Sequence, residues 1–215
     1  MAALRWMSGI AAAALAATLV LHADAAAAGE EGAWSRRVQV LYDPASRSVT
    51  RATLSVWDEA PARNLEFVWE PDPAFPFDPA ATGGVVEGRG KLVWRVRGSA
   101  AYDRSAIYST YVGEMANGRP HGRGRLERRD GEVLDGDWVS GRLHGAGMHL
   151  DAAGNRHEGA FAHGRLHGEG RQAMADGSIY EGGFRDGLRH GEGRLRLPGG
   201  TVYASTWQAG VETGA

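Results

Sequence analysis

The stretch YEGGFRDGLRHGEGRLRLPGG, residues 180–200, decides the fold. Alternation places Tyr180, Gly182 and Phe184 on one face of an extended segment. Asp186-Gly187 and His190-Gly191 then supply a reversal, because glycine accepts the positive φ that other residues resist. A second extended segment, Gly193–Leu197, sets Gly193, Leu195 and Leu197 on a common face, and Pro198-Gly199-Gly200 turns the chain again. The stretch reads as a β-hairpin followed by a linking turn.

It is one of several. From Tyr111 onward the chain superimposes on itself at a shift of 23 residues, in segments that begin at residues 111, 134, 157, 180 and 203, the last one shorter. Tyr111, Tyr180 and Tyr203 open three of them, and Trp138, Phe161, Phe184 and Trp207 hold the fifth position in four. The pairs ending in Gly122, Gly145, Gly168 and Gly191 recur in step, as do the in-strand glycines Gly113, Gly136, Gly159 and Gly182. Glycine weakens a strand unless something needs the room, and a ring lying flat over bare backbone does. Gly182→Val should therefore displace a stacked ring. The period identifies a repeat array whose stability sums units and nearest-neighbour interfaces. The expectation is an all-β chain: an elongated, single-layer antiparallel sheet of 23-residue hairpins.

The pattern Y-E-G-x-F-x-x-G-x-x-H-G-x-G with a following D-G, running from Tyr111 to Gly210, resembles the MORN repeat (membrane occupation and recognition nexus), here as an exported member of the bacterial type. The resemblance implies a twisted antiparallel sheet that serves as a scaffold or binding module, sometimes with phospholipid affinity, and repeats that are not catalytic. Leu134 and His157 depart from the opening Tyr, and Met115 from the aromatic, which marks the first and third units as looser or as contact points.

Four regularly spaced histidines raise the question of a metal or catalytic cluster. Equivalent positions in consecutive hairpins lie two strand spacings apart, about 9.5 Å, whereas a shared metal needs ring nitrogens within about 2.1 Å. The ladder histidines are expected as turn residues before a required glycine, with a pH response as the alternative. No GxSxG, HExxH or glycine-rich phosphate loop occurs. Catalytic, cofactor and metal residues are therefore not expected, nor is enzymatic activity.

From Tyr111 on there are 13 Arg, no Lys and 14 Asp or Glu. Glu114, Asp135, Asp137, Glu158 and Glu181 on first strands face Arg125, Arg171, Arg194 and Arg196 on second strands, as cross-strand pairs worth about 0.2–1 kcal/mol each. Arg119, Arg142 and Arg165, at the turns, are the candidate surface contacts, suited to phosphates or an acidic partner. A net charge of −2 predicts no nucleic-acid binding.

Ahead of the repeats, "RRVQVLY" (36–42), "SVTRATLSVW" (48–57) and "NLEFVW" (64–69) read as strands, and the Pro-rich 71–84 as a connector. Residues 87–98 copy the second half of a repeat, but about ten extra residues precede Tyr108. At the N-terminus, Arg5, an uncharged run from Trp6 to Leu21 too short to span a bilayer, and A-x-A patterns at 23–28 form the layout of a secretory signal peptide. The expected organisation is a signal peptide at 1–28, a β-rich domain at 29–85, an atypical capping hairpin at 86–110 and the array at 111–215. Trp57, Trp69 and Trp94 are expected in the core.

Function is expected to be non-catalytic: an exported scaffold, periplasmic or secreted, with an uncleaved N-terminal membrane anchor as the alternative, that presents its β surface to another protein. The alternatives are attachment to anionic lipid or an envelope surface through the turn arginines, and an enzymatic or ligand-binding role for residues 29–85. An open sheet end invites edge pairing, the route by which a homodimer would form.

Overall fold

The computed structural model describes residues 32–43, 46–75 and 77–214; the expected signal peptide lies outside them. Two hairpin strands, β1 (Ala33–Asp43) and β2 (Ser48–Asp58), come first. Twelve more form one sheet: β3 (Leu65–Pro71), β4 (Gly88–Val96), β5 (Ile107–Ala116), β6 (Arg119–Arg128), β7 (Val133–Val139), β8 (Arg142–Leu150), β9 (Arg156–Ala162), β10 (Arg165–Ala173), β11 (Ile179–Arg185), β12 (Leu188–Arg196), β13 (Val202–Gln208) and β14 (Val211–Gly214). Each pairs antiparallel with its chain neighbours, so the sheet order is the sequence order. The hairpin that starts the sheet is β3–β4, with the Pro-rich connector as its loop. It thus begins upstream of the expected 86–110 segment, and β4 pairs with both β3 and β5.

The hairpin turns are Asn117-Gly118, Ser140-Gly141, His163-Gly164, Asp186-Gly187 and Ala209-Gly210, each with positive φ at both residues. Two-residue turns of this hand match the right-handed twist of the strands. Each turn is tied to the preceding unit: Gly141 N–H donates to Pro120 O, Gly164 to Leu143, Gly187 to Leu166 and Gly210 to Arg189, at 2.8–2.9 Å. These bonds are the backbone share of the nearest-neighbour interface.

The His-Gly pairs are not in the turns, contrary to the sequence expectation. His121, His144, His167 and His190 lie near the start of β6, β8, β10 and β12, His121 at the edge of a bulge opposite Glu114 and the other three inside bulges. His190, Gly191 and Glu192 face the single residue Gly183, since Phe184 pairs with Arg189 and Gly182 with Gly193. Gly122, Gly145, Gly168 and Gly191 carry φ of 60–92° there, which explains the glycine after each histidine. Toward the next hairpin the same glycines pair regularly, opposite Trp138, Phe161, Phe184 and Trp207.

Two glycine columns of the sequence merge into one line. Gly90, Gly113, Gly124, Gly136, Gly147, Gly159, Gly170, Gly182 and Gly193 are successive cross-strand partners from β4 to β12, and Ser205 continues the line in β13. Rings occupy the space this leaves. A Cβ at Gly124 would stand 2.2 Å from the Tyr111 hydroxyl, and one at Gly193 2.3 Å from that of Tyr180. The glycine beneath the ring is thus the second-strand one. Gly182, expected to serve this purpose, is hemmed in first by backbone, the Glu192 carbonyl and Gly193 Cα at 2.5 Å, and then by the Tyr180 hydroxyl at 2.9 Å. Tyr111 donates from its hydroxyl to Glu114 O at 2.8 Å and Tyr180 to Gly183 O at 3.2 Å, so each phenol satisfies a carbonyl of its bulge. In the units that open with Leu134 and His157, Leu143 and Leu166 fill the room over Gly147 and Gly170, together with Phe161 and Phe184.

Trp138, Phe161, Tyr180 and Phe184 are at least 96 % buried on this inner face. At the β3 end, Leu41, Leu54 and Val56 of the first hairpin pack with Phe67, Trp69 and Leu92. Trp69 is fully buried as expected, Trp94 is half-buried, and Trp57 is half-buried beneath Arg119. The hairpin also closes the edge of the sheet. The Gln39 amide donates to Trp69 O and accepts from Trp69 N–H at 3.0 Å, and Arg37 donates to Phe67 O at 2.9 Å. Side chains thereby satisfy backbone groups that would otherwise invite another strand.

Candidate interaction surface

The outer face carries the charges. Glu70, Lys91, Val112, Arg125, Asp135, Met148, Glu158, Arg171, Glu181, Arg194 and Ala204 are consecutive cross-strand partners over eleven strands, β3 to β13. Opposite signs meet along this line: Lys91 and Glu70 at 3.1 Å, Arg125 and Asp135 at 3.1 Å, and Arg171 between Glu158 at 3.4 Å and Glu181 at 3.2 Å. All are solvated, so each contributes tenths of a kcal/mol. Beside them Arg123 meets Asp137 at 3.3 Å. At the β12–β14 end, Glu169, Glu181, Glu192, Arg194 and Thr206 border an open concavity of about 860 Å³.

Arg119, Arg142 and Arg165 are the first residues of β6, β8 and β10, one step past the turns. Their settings differ. Arg119 lies over the Trp57 ring at 4.3 Å, whereas Arg142 and Arg165 are exposed. Glu59, crowded by protein yet open to water on one side, stands near the Ser140-Gly141 turn. Desolvation raises its carboxyl, and the fields of Arg128, Arg142 and Arg119 oppose that shift. The fourth repeat has Leu188 at the equivalent position.

Sequence reasoning missed a polar cluster on the inner face. The cross-strand row Leu126, Leu134, His149, His157, Gln172, Tyr180, Leu195 turns polar at its centre. His149 stacks on His157 with centroids 5.6 Å apart and bonds Glu132 through Nε2 at 2.8 Å. Arg189 takes the place that Leu143 and Leu166 fill in earlier units; its Nε and Nη2 donate to Gln172 Oε1 at 3.0 and 2.9 Å. Its guanidinium also lies 4.6 Å from the Tyr180 ring and 4.9 Å from that of Trp207. Burial holds His157 below the usual imidazole range, His149 adds to this, and Asp151 at 3.7 Å opposes it. Burial works to raise the Glu132 carboxyl, but its bonds to His149 and Arg128 outweigh that and hold it low. The signals were available in the repeat alignment: His157 in a tyrosine column and Arg189 in a leucine column. Among the described residues no group of three or more His, Asp or Glu is placed to hold a metal ion.

The ladder histidines stay on separate hairpins. His121, His144 and His167 are exposed and His190 is half-buried, with His167 Nδ1 3.6 Å from Asp186. What recurs along this surface is a hairpin with a positive-φ turn, an aromatic over glycine and a bulge at His-Gly. A family model described as the MORN repeat matches residues 111–133, 135–156, 157–179 and 180–202. The shorter fifth segment, outside those matches, continues the sheet as β13–β14. No curated protein is significantly similar to the chain. Residues 111–202 are therefore an array of four MORN repeats.

Proposed function

We propose that this is an exported, non-catalytic protein that acts as a scaffold, binding another protein along the outer face of its sheet. The observation that carries the reading is the unbroken rank of outward side chains from Glu70 to Ala204. At a strand spacing near 4.8 Å it extends over roughly 45–50 Å of sheet. Backbone pairing holds the rungs in place, so little ordering entropy opposes binding. Export rests on the N-terminal layout at 1–28. Attachment to anionic lipid through the arginine row is the second reading. It is the weaker one: Arg119 is engaged by Trp57, Glu59 lies in the row's field, and membrane attachment draws on a polybasic cluster. Edge pairing through β14 is the route we assign to self-association.

The test places a photo-crosslinking residue at Val112, Met148 or Ala204, on the outer face, and at Leu126 or Tyr203, on the inner face, in the envelope fraction of the producing cells. One partner captured at all three outer positions and at neither inner one is expected. Crosslinks to lipid alone, together with pelleting on phosphatidylserine vesicles, would replace the scaffold by the membrane reading.

A further inference from the structure

The insertion before Tyr108 forms a loop longer than any link between the repeats. Residues 97–106 separate β4 from β5, where the repeats link their hairpins with 129–132, 151–155, 174–178 and 197–201. The loop is built from within. Arg95, only 7 % exposed, donates to Ser99 Oγ at 3.0 Å, to Ala101 O at 3.2 Å and to the carbonyl of Ala100. The Asp103 carboxylate then accepts from Ser105 N at 2.9 Å and Ser105 Oγ at 2.6 Å, and a single 3-10 turn, Arg104–Ala106, follows. A buried arginine spent on loop carbonyls fixes the display of whatever the loop carries.

It carries Tyr102, 90 % exposed, and Arg104. Arg104 borders a groove of about 280 Å³ that Tyr108, Thr110, Glu127, Arg128 and Arg129 also line. The Tyr108 ring holds the Arg63 guanidinium at 4.9 Å and that of Arg129 at 5.8 Å. The acids nearby are occupied: Glu127 by Arg125, Glu132 by Arg128 and His149, Asp103 by Ser105. Among the described residues Arg63, Arg104 and Arg129 have no carboxylate within ion-pair distance.

We propose that this groove docks an acidic peptide segment of a partner protein, with side-chain carboxylates on Arg63, Arg104 and Arg129 and an apolar side chain against Tyr102. Arg104 and Arg129 line the groove and Arg63 joins Arg129 at the Tyr108 ring, an arrangement that suits carboxylates spaced along a chain. Arginine and tyrosine are the residues that dominate binding energy at protein interfaces. The inference rests on reading the protein as a binder of proteins, and its site adjoins the outer rungs without including them, since Thr110 and Glu127 pair two positions along from Val112 and Arg125.

The probe is a fluorescein-labelled peptide of alternating Glu and Gly with one central Phe, titrated by anisotropy against the full-length chain at low and moderate salt. Saturable, salt-sensitive binding is expected. It should weaken at least tenfold in R63Q/R104Q/R129Q and severalfold in Y102A, and be unchanged in R142Q/R165Q. All the substituted side chains have exposed surface, and circular dichroism verifies that each variant folds. No binding by the wild type, or equal loss in R142Q/R165Q, overturns the site. So does phosphatidylserine-vesicle binding that vanishes in the triple variant while the peptide is ignored. Outer-face crosslinks without peptide binding would leave the scaffold standing and remove this site alone.

Discussion

Gly193→Ala tests whether the glycine line exists to seat rings. A Cβ at 193 would stand 2.3 Å from the Tyr180 hydroxyl and 2.4 Å from its ring carbons, where ordinary contact begins at 3.4 Å. The ring must retreat by about 1 Å, enough to forfeit much of its dispersion contact on that side. Tyr180 has nowhere to go: it is fully buried, edge-on to Phe184 at 5.3 Å and to Trp207 at 5.6 Å. Those two contacts are worth about 0.5–1.5 kcal/mol each, and partial uncovering of the ring adds about 1–2 kcal/mol at 25 cal/mol per Å². The backbone entropy recovered on replacing glycine offsets about 0.5–1 kcal/mol. A net loss of about 2–3 kcal/mol follows, or roughly 5–10 °C in melting temperature for a chain of this size. The assay is urea unfolding of the wild type, G193A, Y180A and the double variant, with G199A as control, since a Cβ at Gly199 meets nothing within 4 Å. If the glycine serves the ring, G193A costs little once the ring is gone, giving a coupling of about 2 kcal/mol. Strictly additive losses would refute the seating argument.

His157 titrates in the folded chain below its ordinary value of 6.5, so the unfolded chain binds more protons and stability is lost as pH falls through that value. The low-held carboxyls of Glu132 and Asp151 act in the same direction only near and below their ordinary values of 4.5 and 3.8. H157L should therefore flatten the melting temperature between pH 7.5 and 5.5, and an unchanged slope would count against the cluster. Gln39→Leu leaves the Trp69 N–H and C=O unpaired, at about 1–3 kcal/mol, and opens the β3 edge. Hydrogen exchange at Trp69 should quicken and association become concentration-dependent; exchange as slow as in the wild type would show that the edge is closed by something else.

The hairpin count, the strand faces and the inward rings were legible because alternation and a 23-residue period act locally, one unit at a time. Some of the charge pairs were legible for the same reason: Arg125–Asp135 and Arg171–Glu158 are in contact, whereas Glu114, Arg194 and Arg196 form no ion pair among the described residues. The bulge was not. Residues 186–191 contain two positive-φ glycines, Gly187 and Gly191, and either suits a reversal. Only cross-strand pairing, a property of two segments together, shows that the first reverses the chain and the second bends a strand. The edge closure was less legible still, because Gln39 and Trp69 are thirty positions apart and nothing in an alternating strand marks one polar residue as a substitute for backbone.

Where repeat columns break their own rule, however, the sequence does carry information about surfaces. Leucine at 143 and 166 makes the inner face apolar, and arginine at 189 puts a cation there, stabilised by two rings and one amide. The loop at 97–106 breaks the rule of length rather than of residue type, and Arg95 is given up to holding it. A buried guanidinium is a costly way to shape a loop that only connects two strands, since its charge must be fully hydrogen-bonded to be tolerated. The arrangement makes physical sense if the loop's conformation matters for what Tyr102 and Arg104 meet. R95M separates the two cases: a purely structural arginine predicts lost stability with peptide affinity unchanged in the folded fraction. A display role predicts that affinity falls along with loop order, read from hydrogen exchange at residues 99–105.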